Sequence, residues 1–76
     1  MRTEVKMPNL GGEDTNKMVA WLKQVGDTVE RGEPIAEVET DKATVEMEAL
    51  TSGTLVEIVA QIGDDVPVGD IIAYIE

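Results

Sequence analysis

The chain has 76 residues, 42% of them apolar, with sixteen acidic against six basic residues and a formal net charge of -10. That length makes one small domain, residues 1–76, with a thin core, and excludes a two-domain catalytic enzyme. Cysteine and histidine are absent, which excludes disulfides, thiolate and histidine-based catalysis and the commonest zinc ligands, while the acidic surface repels phosphate backbones and anionic membranes.

Valine, isoleucine and threonine supply 23 of the 76 residues, which favours strands, and turn signals recur about every eight to twelve residues, as in all-β folds. Val5-Lys6-Met7 ends at Pro8, which suits a first strand at a sheet edge. A polar loop runs from Asn9 through Asn16. Lys17 to Lys23 reads as a second strand centred on Val19 and Trp21, with a short piece around Val29 between Gly26-Asp27 and Arg31-Gly32. Ile35–Thr40 and Ala43–Glu48 alternate, and Thr54–Ala60, a short piece at Val66 and Ile71–Ile75 complete the set. No segment has a convincing helical period. Met18 and Met47 fall within strands as core fillers. Asp64-Asp65 lacks the ligand spacing of a calcium loop and reads as a turn, so no metal site is expected.

The chain repeats itself. Residues 25–39, VGDTVERGEPIAEVE, align without a gap on residues 62–76, IGDDVPVGDIIAYIE, with seven of fifteen positions identical. One copy cannot bury its apolar face alone, whereas two facing copies can. The expectation is a flattened sandwich of two similar halves related by a pseudo-two-fold axis.

The halves differ at Glu39-Thr40-Asp41-Lys42-Ala43-Thr44. Ala36, Val38 and Thr40 share one face, and so do Ala43, Val45, Met47 and Ala49, so two like-patterned strands joined by two residues make a hairpin. Asp41 and Lys42 form its tip. Neither is glycine, which favours a type I turn. Lys42 is then a lone projecting cation among Glu37, Glu39, Asp41, Glu46 and Glu48. Pattern alone favours a solvated turn lysine offsetting those acids.

Glu39-Thr40-Asp41-Lys42-Ala43 resembles the attachment motif of lipoyl domains, from the acyltransferase (E2) components of 2-oxo acid dehydrogenase complexes. Met7-Pro8 with Leu10-Gly11, Trp21-Leu22-Lys23 with Gly26-Asp27, and Gly26 and Gly53 flanking Lys42 at sixteen and eleven residues extend the likeness along the whole chain. Asn16 departs from it, standing where many members have glycine; asparagine tolerates the left-handed turn expected there. Biotinyl carrier domains share the fold but typically flank their lysine with methionines, and the glycine-cleavage carrier is larger. An unmodified protein-interaction module is the remaining alternative.

The resemblance implies an all-β flattened barrel or sandwich of two four-stranded antiparallel sheets. It implies lipoic acid in amide linkage to Lys42, with Asp41 and Ala43 read by the lipoate ligase or lipoyl transferase. The domain would be a swinging arm, not an enzyme, its parent chain being a dihydrolipoamide acyltransferase. It would carry acyl groups and reducing equivalents between the thiamine-diphosphate-dependent decarboxylase (E1), the E2 catalytic domain and the flavin-dependent dihydrolipoamide dehydrogenase (E3). Leu10, Gly11, Gly12, Glu13, Asp14 and Thr15, with Glu39 and Thr40, are candidates for partner recognition, and Gly26, Gly53 and Gly63 for structural turns. A protonated lysine is a poor nucleophile, so another enzyme must bring an activated lipoyl group. The absence of cysteine leaves no internal thiolate to exchange with a lipoyl disulfide, and the acidic face suits steering toward basic channel mouths.

No apolar run approaches the length of a membrane span, and the opening MRTEVKMPNL lacks the apolar stretch of a secretory signal. A soluble monomeric domain is expected, cytoplasmic or, in a eukaryote, in the mitochondrial matrix.

Overall fold

Eight strands account for the apolar alternation in a computed structural model of the chain, which describes residues 2–10 and 14–76. In chain order they are β1 (Thr3–Lys6), β2 (Thr15–Trp21), β3 (Thr28–Val29), β4 (Pro34–Glu39), β5 (Thr44–Glu48), β6 (Gly53–Ile58), β7 (Asp65–Pro67) and β8 (Ile71–Ile75). There is no helix among the described residues. The strands form two four-stranded antiparallel sheets, ordered β1-β8-β6-β3 and β5-β4-β2-β7. The sheets face each other as a flattened sandwich and do not close into a true barrel.

The two orders are the same list under one operation. Exchanging β1 with β5, β8 with β4, β6 with β2 and β3 with β7 turns one sheet into the other. The relation holds down to single hydrogen bonds at an offset of 37 residues. Gly26 N–H donates to the Leu55 carbonyl (2.7 Å) and Leu55 N–H to that of Asp27 (2.9 Å); Gly63 donates to Met18 (2.8 Å) and Met18 to Asp64 (2.9 Å). Asp27 and Asp64 each accept at Oδ2 from the backbone N–H three residues earlier, at 2.9 and 3.0 Å. This local bond explains why both Gly-Asp turns need their aspartate. The symmetry therefore reaches back to residues 15–24 and 52–61, where the two sequences have diverged too far to reveal it.

The core is built from symmetry-related pairs. Met18 and Leu55, Val29 and Val66, Ile35 and Ile72, Ala36 and Ala73, and Val38 and Ile75 are all buried. Met7 and Ala49 join them from the two edge strands' ends, and Met47 fills the position that Val5 covers on the other side. Both methionines named from the sequence are core fillers, at 0% and 5% exposure. Trp21 is half-buried, packs against this core and donates from Nε1 to the Ala60 carbonyl at 3.0 Å.

Three sequence expectations change. The strand at Lys17–Lys23 starts two residues earlier and is not centred on Val19. A register shift between Met18 and Ala20 resets its alternation, so Asn16 and Met18 point inward before it. Asn16 lies within β2 and has no positive φ. It is 2% exposed, and its Nδ2 donates to the Pro8 carbonyl at 3.1 Å, tying the end of the first strand's exit to the second strand. Gly53, the symmetry mate of Asn16, opens β6 and is not a turn residue. A Cβ there would stand 2.7 Å from the Glu76 carbonyl oxygen and 2.8 Å from Ile75 Cγ2. Gly26 and Gly63 are true turn glycines, at φ 99° and 95°, with open space where a Cβ would go.

The ion pair of Lys23 with Glu33 has no symmetry mate, position 60 being alanine. Lys23 Nζ lies 2.9 Å from Glu33 Oε2, and Glu33 Oε1 accepts from the Glu30 N–H at 3.0 Å. The hydrogen bond from Lys23 and then the backbone bond from Glu30 hold the Glu33 carboxyl below its usual range, and the bond to Glu33 raises Lys23.

Two outcomes follow from these contacts. Gly63→Ala is expected to cost about 1–2 kcal/mol for its left-handed backbone, and Gly53→Ala more, because backbone and a buried isoleucine must move; urea unfolding of the two variants measures this. For Glu33, a lowered folded-state value means stabilisation present above the unfolded carboxyl range and lost as pH falls through the folded value. The difference in urea midpoint between wild type and Glu33→Gln is therefore expected at pH 7, to begin to shrink near the unfolded carboxyl value of about 4.3 and to be lost only as pH falls through the lower folded value.

Candidate functional site

The β4–β5 hairpin is fixed by what its inner face buries. Ala36 stands opposite Met47 and Val38 opposite Val45, while Glu37 stands opposite Glu46 and Glu39 opposite Thr44. A slip of one residue would turn the buried set outward. This register leaves four residues, Thr40 to Ala43, for the turn, with Asp41 and Lys42 at its centre. Neither takes a positive φ, which rules out the primed turns and agrees with the type I geometry expected.

Asp41, Lys42 and Ala43 are all exposed. Among the described residues no carboxylate lies within 4 Å of the Lys42 amine, although five acids sit within six residues of it in sequence. Extended strands explain this: β-strand side chains rise away from the sheet and not along it toward the tip. Lys42 thus does not neutralise its neighbours. Glu37 and Glu46 face one another with no ion pair to a cation among the described residues, an unfavourable cross-strand pairing, and the outer face of the hairpin stays acidic.

The start of β2 lies at the same end of the sheet. Lys17 of β2 pairs with Glu39 of β4, so β2 begins beside the hairpin end, and Thr15 pairs with Pro67 on its other side. Leu10 and Asp14 are exposed, with Leu10 at 38%. Gly11, Gly12 and Glu13 lie outside the described residues. Glu39 is exposed and Thr40 half-buried. The sequence reading did not single out the Thr40 hydroxyl, which bonds back into the turn; threonine entering a two-residue turn without glycine was the available signal.

An apolar groove of about 530 Å³ opens between the edge strands β1 and β5, lined by Met7, Leu10, Met47, Leu50 and Ile75 among others. It contains no residue of the turn. No cluster of acidic residues able to hold a metal is present among the described residues, and none of the described helices, there being none, is long and apolar enough to cross a membrane.

The lysine at the tip of this two-residue hairpin is exposed and so open to covalent modification. The sequence profile of the Biotin_lipoyl family, described as "Biotin-requiring enzyme", matches residues 3–75. The chain belongs to this family. Membership implies a covalently attached lipoyl or biotinyl group, and the free amine at position 42 fits such an attachment.

Similar proteins include the dihydrolipoyllysine-residue succinyltransferase component of the 2-oxoglutarate dehydrogenase complex of Staphylococcus saprophyticus. It is 49% identical over 73 residues, covering 95% of this chain and 17% of that protein. The dihydrolipoyllysine-residue acetyltransferase component of the pyruvate dehydrogenase complex of Corynebacterium glutamicum is 50% identical over 74 residues, 96% of this chain and 11% of that protein. The chain thus spans less than a fifth of these relatives. Among solved structures, the lipoyl domain of the 2-oxoglutarate dehydrogenase complex of Azotobacter vinelandii superposes with a TM-score of 0.77 at 31% identity, covering 96% of this chain and 94% of that one. The urea carboxylase of Kluyveromyces lactis superposes at 0.84 and 28% identity, covering all of this chain and 6% of that one. The domain is homologous to E2 lipoyl domains.

The ion-pair pattern predicts the order of amine reactivity. Under limiting acylation by an N-hydroxysuccinimide ester, Lys42 and Lys17 are expected to react ahead of Lys23, whose amine Glu33 holds; peptide mass spectrometry reads the order.

Proposed function

We infer that this domain is a lipoyl carrier in which Lys42 bears lipoic acid as an amide. The observation that carries the reading is the Lys42 amine, exposed at the hairpin tip with no carboxylate within 4 Å among the described residues. Asp41 and Ala43, where biotinyl carriers typically have methionines, favour the lipoyl group over biotin.

Amide formation joins the lipoyl carbonyl to the lysine Nζ, releases the activating group and a proton, and takes the formal net charge from -10 to -11. Bound there, the group supplies a disulfide-to-dithiol couple and a thiol that takes up an acyl group. The chain's own residues do the rest. The paired strands hold the attachment point rigid, the turn projects it, and the domain supplies no general base. Asp41 and Ala43 are the faces that a lipoate ligase or lipoyl transferase reads. Leu10–Thr15, Glu39 and Thr40 are assigned to partner recognition. The E2 acyltransferase domain and E3 dehydrogenase complete the set of partners. Tethering raises the arm's effective concentration at each site without tight binding, and the uncompensated hairpin acids suit steering toward basic rims. The parent chain is assigned as an E2 acyltransferase, in the cytoplasm or a mitochondrial matrix.

Co-expression with a lipoate ligase and intact-mass measurement tests the reading. One lipoyl increment is expected, lost in Lys42→Ala. A biotin increment, or none in the wild type, would overturn it.

A further inference from the structure

A type I turn between two β-strands is the poor choice, because its twist opposes that of the strands it joins. The hairpin nevertheless uses a turn without positive φ. Thr40 N–H donates to the Ala43 carbonyl at 2.9 Å. The Ala43 N–H goes to Thr40 Oγ1, at 3.2 Å. The Lys42 N–H donates to the same oxygen, also at 3.2 Å. The hydroxyl proton in turn goes to the Ala43 carbonyl at 3.0 Å. One donor and two lone pairs are all a threonine hydroxyl has, and all are engaged inside the turn.

We propose that Thr40 is the positioning residue of the attachment site, its hydroxyl clamping the backbone on both sides of Lys42 so that the amine is presented in one orientation to the modifying enzyme. The proposal rests on the carrier reading. Its argument is local. Asp41 and Lys42 carry exposed side chains with no hydrogen bond or ion pair from their charged groups among the described residues, so neither steadies the turn. The strands fix residues up to Glu39 and from Thr44. Between them, Thr40 Oγ1 is the one side-chain atom that receives both the Lys42 and the Ala43 N–H. Without it those donors have water in place of a fixed acceptor, and the lysine loses a single direction of approach. Valine has the shape of threonine without the hydroxyl, and serine keeps the hydroxyl without the methyl.

The test measures initial rates of modification by a lipoate ligase with ATP and lipoate, on folded wild type, Thr40→Val and Thr40→Ser. Because misplacement of a reacting atom by about 1 Å costs up to about a hundredfold, Thr40→Val is expected to lower kcat by about tenfold or more with KM little changed. Thr40→Ser is expected to restore the rate to within about twofold of wild type. Equal rates for wild type and Thr40→Val would overturn the proposal, as would a serine variant as slow as the valine one. Amide hydrogen exchange supplies a readout independent of the ligase. In Thr40→Val the Lys42 and Ala43 amides are expected to exchange about fivefold faster or more, and those of Val38 and Val45 to stay unchanged. Unchanged exchange at Lys42 and Ala43 would overturn the clamp whatever the ligase does, whereas an unmodified wild type with accelerated exchange in the valine variant would sink only the carrier reading.

Discussion

The pairing register of β4 with β5 is the constraint on which the site depends. Ala36 against Met47 and Val38 against Val45 put apolar side chains toward the core, and a slip of one residue would turn them outward. Two residues, Asp41 and Lys42, are what this pairing leaves at the centre of the turn. The position of the lysine is therefore a consequence of burial several residues away, at atoms that never meet a partner.

The register in turn leans on the two-fold arrangement. Val38 and Ala36 are buried against the opposite sheet, whose Ile75 and Ala73 are their own symmetry mates. A chain of this size buries only about 60% of its unfolded surface, and repeating one supersecondary unit gives both layers matching widths and turns. Function then sits where the halves part company. The hairpin tip has no counterpart among the described residues: β4 turns directly into β5, whereas its mate β8 pairs with β1 from the far end of the chain. Asn16 and Gly53 part as well: one buries an amide that holds the Pro8 carbonyl, the other is bare so that Glu76 can approach.

Much of this was legible in the sequence. Strand alternation gave the pairing of Ile35–Thr40 with Ala43–Glu48, and the repeated Gly-Asp turns gave the symmetry, because φ and side-chain chemistry at turns are local properties. What escaped was non-local. The register shift at Met18–Ala20 follows from how β2 bends between two neighbours, and alternation alone centred the strand on the wrong residues. Asn16 read as a left-handed turn residue, since nothing local reveals that Pro8 lies within reach of its amide. Gly53 read as a turn for the same reason: its requirement comes from the chain's last residues, far away in sequence. At the site, spacing placed Lys42 at the tip, while the Thr40 hydroxyl's three hydrogen bonds depend on a turn geometry that residue types only constrain.

Presentation by the folded sandwich, and not the Asp-Lys-Ala tripeptide by itself, is the core of the account. Isolated two-stranded hairpins are at best marginally stable in water, so a synthetic peptide spanning residues 34–48 keeps the motif and loses the rigid frame. Modification of this peptide and of the intact domain by the same lipoate ligase, at equal concentration, separates the two ideas. The domain should be modified to completion while the peptide remains essentially untouched; matching rates for the two would contradict the account.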